Sequence, residues 1–221
     1  MSDITIGELH HHTSGGWPND DTDPMFQHND YNHSQLIDWA LNTYPALTGR
    51  GHYAYSNFGY CLLGRVIEKI SGKPYARFIQ EEVLQPCGIT DMSIGGNTLS
   101  DRKPNEVIYN GQEGEDPYIF NIARMDSHGG WLATATDMAR FLVHVDGFPG
   151  KPEILQPATL EVMTTPSEGN PRYACGWSVN RNNNWWHNGS LHAKNINAAL
   201  DLLLWPAIHN PHTPWQDIDQ F

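Results

Sequence analysis

The 221-residue chain has no apolar run near the roughly 20 residues that a membrane-spanning helix needs. It is short of positive charge: 13 Lys and Arg stand against 25 Asp and Glu, for a formal net charge of −12. Phosphate binding requires clustered Lys and Arg, and no basic stripe is present, so a nucleic-acid partner is excluded. Cysteine is scarce. Cys61, Cys87 and Cys175 are an odd number with no Cys-x-x-Cys spacing. That argues against a disulfide framework and against a structural zinc site. The opening Met-Ser-Asp-Ile-Thr-Ile-Gly lacks the charged and apolar regions of a signal peptide, and the compartment stays open.

Apolar and aromatic material is plentiful. The hydrophobic fraction is 39%, with 8 Trp, 9 Tyr and 7 Phe, enough to build a core and to exclude global disorder. Length fits one domain or most of a larger one. Residues 13–34 are rich in Gly, Asn, Asp and Pro and read as an irregular loop. Ser34 is a candidate cap for a helix burying Leu36, Ile37, Ala40 and Leu41. From Asn57 the spacing of Phe58, Cys61, Leu62, Val66, Ile67 and Ile70 predicts a second helix, stopped at Ser71-Gly72. A third starts near Pro74, with Tyr75, Phe78, Ile79, Val83 and Leu84 inward. Residues 93–127 read as loops and short strands. Thr136 is a candidate cap for a helix burying Met138, Phe141, Leu142 and Val145. Pro157 to Met163 fits another short helix. Alternation through Tyr173, Cys175, Trp177 and Val179, then Trp185 and His187, predicts a β-hairpin turning at Asn182-Asn183-Asn184. Ala193 to Leu204 is apolar and helix-like.

Three short motifs carry chemistry. Tyr55-Ser56-Asn57 heads the helix at 57. His128-Gly129-Gly130-Trp131 precedes the helix near 136. His187-Asn188-Gly189-Ser190 ends the hairpin. A Tyr at a loop-to-helix turn can shuttle protons when cations lower its pKa, and Asn57 can turn its amide into the same cleft. Each motif alone arises by chance. Their order and surroundings resemble the serine β-lactamase and penicillin-binding-protein superfamily, in its class C-like and esterase-like branch. The resemblance runs over about residues 4–191 and includes Leu9-His10-His11-His12-Thr13-Ser14-Gly15-Gly16, Tyr55 through Gly88, and His128 through Leu142.

That resemblance implies an α+β fold, an antiparallel sheet flanked by helices. It implies acyl transfer on an ester, a β-lactam or a D-alanyl peptide through an acyl-enzyme, with no cofactor. Tyr55 would be the catalytic proton relay. Asn57, His187, Gly189 and Ser190 would bind substrate, with Gly189 making room and the Ser190 N–H completing an oxyanion hole.

The family's nucleophile is the Ser of Ser-x-x-Lys upstream of the Tyr motif. None precedes Tyr55 here. The expectation is a partial domain over residues 1–191, lacking that N-terminal region, and a divergent tail over 192–221. Ser100-Asp101-Arg102-Lys103 is a literal Ser-x-x-Lys, but it falls in a polar stretch after the Tyr motif and reads as a surface turn. The His10-His11-His12 run has no carboxylate or Cys at ligand spacing, so no metal is expected. Trp131, Trp177 and Trp185 read as core or cleft walls, and Glu68, Asp137 and Arg140 as solvated helix charges. Three readings compete: a hydrolase inactive as this isolated chain, a non-catalytic binding relative, and a chain whose nucleophile comes from a partner segment.

Overall fold

The computed structural model describes residues 4–44, 49–109, 116–189 and 191. The expected run at 193–204, the divergent tail and Ser190 lie outside them. Six α-helices and four short strands are described: α1 (Ile6–His10), α2 (His33–Thr43), α3 (Asn57–Ser71), α4 (Tyr75–Ile79), β1 (Ser93–Ile94), β2 (Trp131–Leu132), α5 (Ala135–Leu142), α6 (Pro157–Thr164), β3 (Ser178–Val179) and β4 (Trp185–Trp186). Helix α4 runs on into a single π-type turn at Gln80–Leu84. The strands form two antiparallel ladders, β1 with β2 and β3 with β4. The second is the expected hairpin, with Ser178 opposite Trp186 and Val179 opposite Trp185. Asn183 takes the left-handed turn at φ 60°, a conformation Asn tolerates better than most residues.

Helices α1, α2 and α5 start at capping boxes, and the last two starts lie upstream of the sequence expectation. Helix α2 is capped by Asn32, whose side chain accepts from Gln35 N–H while Gln35 reaches back. Helix α5 is capped by Thr134 in the same reciprocal arrangement with Asp137. Ser34 and Thr136 have no acidic or amide partner three residues on, and a box needs that spacing. Asp137 is consequently 5% exposed and is a capping group, which corrects its reading as a solvated charge. Glu68 is likewise engaged: it accepts the Tyr75 N–H at 2.8 Å, joining α3 to α4. Helix α3 ends as expected at Gly72, at φ 68°.

Three apolar clusters fill the interior. The largest joins Met25, Leu36, Ala40, Phe58, Cys61 and Met125, so that α2, α3 and the loop around Met25 share one core. A second holds Leu84, Cys87 and Ile89 against Trp131 and Phe141. The third places Ala174, Val179 and Trp185 beside Trp177. The α3 face includes Leu63 at 6% exposure, while Ile70, expected inward, is 79% exposed at the helix end.

The loop before α2 is fixed by a buried cation. Arg124 is 2% exposed. Its Nη1 donates to the carbonyls of His28 (2.7 Å) and Tyr31 (2.9 Å). Its Nη2 donates to those of Met25 (3.0 Å) and Gln27 (2.8 Å). The planar fork gathers four carbonyls of the irregular loop, of which that of His28 also accepts the Tyr31 N–H at 2.9 Å. A lysine has one donor centre and cannot span them. Arg124→Lys is therefore expected to cost about 2–4 kcal/mol, because buried carbonyls are left unmet. Urea denaturation of the two chains measures this, and an unchanged midpoint would refute the role.

Candidate active site

Ser56 starts α3 from an extended conformation, and its Oγ accepts the Gly59 N–H at 3.0 Å. This cap fixes its two neighbours. Tyr55 stands just outside the helix, and Asn57 is the first helical residue. Asn57 Nδ2 donates to Asn19 Oδ1 at 2.9 Å and to Asp23 Oδ2 at 2.8 Å. Both amide hydrogens are thus committed, and Oδ1 is the atom left for a ligand. Asp23 is fully buried, and its Oδ1 accepts the Met25 N–H at 2.9 Å. Burial pushes its carboxyl up to about 6, against the hydrogen bonds from Met25 and Asn57. Asp23 and Asn19 come from the loop whose role was not visible in sequence.

His12 gathers the aromatic side of the site. It is 1% exposed and holds a left-handed φ of 54°. Its ring centroid lies 4.2 Å from that of Tyr55 and 4.9 Å from those of Tyr60 and Tyr173. The Ser56 N–H donates to His12 Nδ1 at 3.0 Å. His12 Nε2 lies 3.2 Å from Tyr173 Oη, which lies 3.2 Å from His187 Nε2. Burial, with His187, His10 and His11 nearby, lowers His12 to about 3. Burial also lowers His187, while a hydrogen bond with the Asn188 backbone acts in the opposite sense. Tyr55 is pushed up to about 12, first by burial and then by Tyr53 and Asp23.

Part of this cluster opens on a cleft of about 930 Å³. Tyr55, Asn57, Tyr173, His187 and Gly189 face it. Leu84, Met92, Trp131 and Phe141 contribute apolar lining. Among the described lining residues there is no Lys or Arg, and Glu106 is the only carboxylate. The second motif shapes the floor. A Cβ on Gly130 would lie 2.6 Å from the Ile122 carbonyl, so only glycine fits there. Trp131 donates through Nε1 to the Asp126 carbonyl at 2.7 Å. A Cβ on Gly189, by contrast, would meet nothing within 4 Å among the described residues.

Residues 2–200 match the family model described as Beta-lactamase. The chain belongs to the Beta-lactamase family. Among curated relatives it is 22% identical over 210 residues to the "Putative D-alanyl-D-alanine carboxypeptidase" of Escherichia coli K12, covering 81% of this chain and 47% of the relative. It is 28% identical over 158 residues to "Penicillin-binding protein 4*" of Bacillus subtilis, covering 66% of this chain and 31% of the relative. The chain thus spans less than half the length of these relatives. Among solved structures, the D-amino acid amidase of Ochrobactrum anthropi SV3 superposes with a TM-score of 0.66 at 20% identity, over 86% of this chain and 59% of the amidase. A D-stereospecific amidohydrolase from Streptomyces sp. gives 0.62 at 21%, over 86% and 62%. These likenesses establish the α+β fold of the β-lactamase and transpeptidase class.

Four of the five sequence-derived site residues, Tyr55, Asn57, His187 and Gly189, line the same cleft; Ser190 lies outside the described residues. Ser100 is exposed, 2.8 Å from Thr98 Oγ1, and does not line the cleft. His12, Asp23 and Tyr173 went unnoticed as site residues. His12 lay inside the recognised His-Thr-Ser-Gly segment and Tyr173 in the hairpin alternation, so both positions were in view without their pairing.

The buried histidines make stability depend on acid. In the unfolded chain His12 takes up a proton below about 6.5, whereas folded it does so only near 3. His128, lowered by burial to about 4, acts alike. Their contribution is full above 6.5 and is lost as pH falls. Asp23 works in the other direction: its contribution is full below the ordinary Asp value and is lost as pH rises through about 6. The histidines span the wider window, so the urea midpoint should fall from pH 6.5 to pH 4. Asp23→Asn should steepen that fall. A midpoint flat across this range would contradict the buried neutral rings.

Proposed function

We propose that this chain forms the Tyr–Asn and His–Gly walls of an acyl-transfer cleft in a β-lactamase-related serine hydrolase, and that the cleft takes uncharged esters or amides. The observation that supports it most is the convergence of Tyr55, Asn57 and His187 on one aromatic cleft whose described lining offers no Lys or Arg. A β-lactam carboxylate or a D-alanyl C-terminus would enter that environment without a fixed counter-charge, and an unpaired buried charge is costly. The amidase and amidohydrolase names of the fold neighbours agree with a neutral amide. In this reading Asn57 Oδ1 accepts from a substrate N–H, the Gly189 backbone leaves space beside the acyl group, and Tyr55 passes a proton once a cation lowers its pKa.

A second reading, a binding site without turnover, is favoured by Tyr55 itself. Its hydroxyl is pushed up to about 12, so it stays protonated at neutral pH. Within these 221 residues the only Ser-x-x-Lys begins at Ser100. Its exposure and its bond to Thr98 support a surface turn. We therefore infer that the 221-residue chain by itself turns over no nitrophenyl ester above background and forms no adduct with a fluorophosphonate. Hydrolysis abolished by Tyr55→Phe, or a stoichiometric adduct mapped to Ser100, would refute this.

Ligand selection is tested by titrating the chain with phenylacetamide and with phenylacetate while following backbone NMR shifts. The amide should move Asn188 and Gly189 and bind at least tenfold more tightly. Equal or tighter binding of the carboxylate sinks the neutral-substrate reading. Gly189→Ala separates packing from recognition. Its stability should change by less than about 0.5 kcal/mol, since the new methyl meets no atom of the described residues, while affinity for phenylacetamide falls severalfold. Unchanged affinity would remove Gly189 from the site.

A further inference from the structure

The wire from the Ser56 backbone to His187 has a direction, because its first donor cannot be reversed. A backbone amide only donates, so His12 Nδ1 must accept the Ser56 N–H at 3.0 Å. A neutral imidazole with an acceptor Nδ1 carries its proton on Nε2. That N–H faces Tyr173 Oη at 3.2 Å, and the oxygen accepts it. The Tyr173 hydroxyl proton then has His187 Nε2 at 3.2 Å as its hydrogen-bond acceptor. The neighbouring Tyr60 hydroxyl spends its own proton on the His10 carbonyl at 2.9 Å, which leaves its oxygen as a second acceptor within reach of Tyr173. The His187 ring also bonds the Asn188 backbone, a contact that favours its N–H; a proton on Nδ1, with Nε2 accepting from Tyr173, satisfies both of its contacts.

We propose that Tyr173, oriented by His12, is a positioning residue that holds His187 as a neutral ring protonated on Nδ1. Three elements distant in sequence are needed for this: the loop after α1, the start of α3, and the hairpin of β3 and β4. Protonating His187 would require Nε2 to carry a hydrogen aimed at the hydroxyl that donates to it. Tyr173 would then have to rotate its proton towards Tyr60, or the bond would be lost. The wire thus opposes a cation at the third motif. What this means for ligands rests on the acyl-transfer reading above; the proton assignment rests on the geometry alone.

Long-range proton–nitrogen correlation NMR of the histidine-labelled 221-residue chain reads the tautomer of each ring. At pH 7 the expected spectrum shows His12 protonated on Nε2 and His187 on Nδ1. Tyr173→Phe removes the donor, and His187 should then shift towards the Nε2-protonated form or a mixture, with its titration midpoint moving up. The proposal is overturned if wild-type His187 is protonated on Nε2 or doubly protonated at pH 7. It is equally overturned if Tyr173→Phe, folded by its amide spectrum, leaves the His187 pattern unchanged. Should Tyr173→Phe not fold, the wild-type assignment alone decides. If the histidine pattern is as expected and neither phenylacetamide nor phenylacetate binds, the wire is upheld and the acyl reading fails, so the two are told apart.

Discussion

A neutral histidine at position 12 is the constraint on which the site depends. The ring is enclosed by Tyr55, Tyr60 and Tyr173, accepts a backbone N–H on one side and faces a phenol on the other. Adding a proton would destroy the Ser56 bond, since a charged imidazole has no lone pair to offer. It would also leave a cation inside an aromatic cage without a carboxylate against it. The chain supports this arrangement with a left-handed residue at φ 54°, a conformation that costs about 1 kcal/mol or more outside glycine. Such strain persists only where the surroundings over-determine it. Here the Ala54 N–H donating to the His12 carbonyl at 2.8 Å, together with the ring contacts, does so.

The second constraint lies on the opposite side of Asn57. The loop before α2 has little regular hydrogen bonding, yet it places Asn19 and Asp23 against the Asn57 amide. Arg124 makes this possible by donating to four of the loop's carbonyls. Its charge is met by carbonyl dipoles, and burial lowers its pKa. Arg65 supplies a more ordinary tie, an ion pair with Asp126 at 2.6 Å that fastens α3 to the turn before the second motif. The Tyr–Asn and His–Gly–Gly motifs are thus held by polar bonds reaching across the apolar core.

Periodicity made the helices legible. The apolar spacing from Phe58 onward and the Ser71-Gly72 stop describe α3 closely, because a 3.6-residue pattern and a left-handed glycine are local signals. The caps at Asn32 and Thr134 are selected by a reciprocal partner three residues on, which Ser34 and Thr136 lack, so residue type alone does not locate them. Asp137 was misread for the same reason. The motif residues were legible through order and spacing. Their partners were not: Asp23 looks like one more acid in a polar loop, and Tyr173 like one more inward aromatic in a hairpin. Their significance comes from contacts spanning 34 and 161 residues, which no local pattern encodes.

The electrostatics of Tyr55 say what kind of component the acyl-transfer reading requires. Burial and two acidic neighbours push its hydroxyl up to about 12, and the described cleft lining contributes no Lys or Arg to bring it down. A single cation about 4 Å away, at the effective dielectric typical of such sites, is worth about 4 kcal/mol, or a factor of about a thousand in the ionisation equilibrium. That same charge would bear on His12 and His187, and its effect on them has the opposite chemical meaning. It favours the ionised tyrosine and disfavours protonated imidazoles. One added cation would therefore activate Tyr55 while reinforcing the neutral histidine wire beside it.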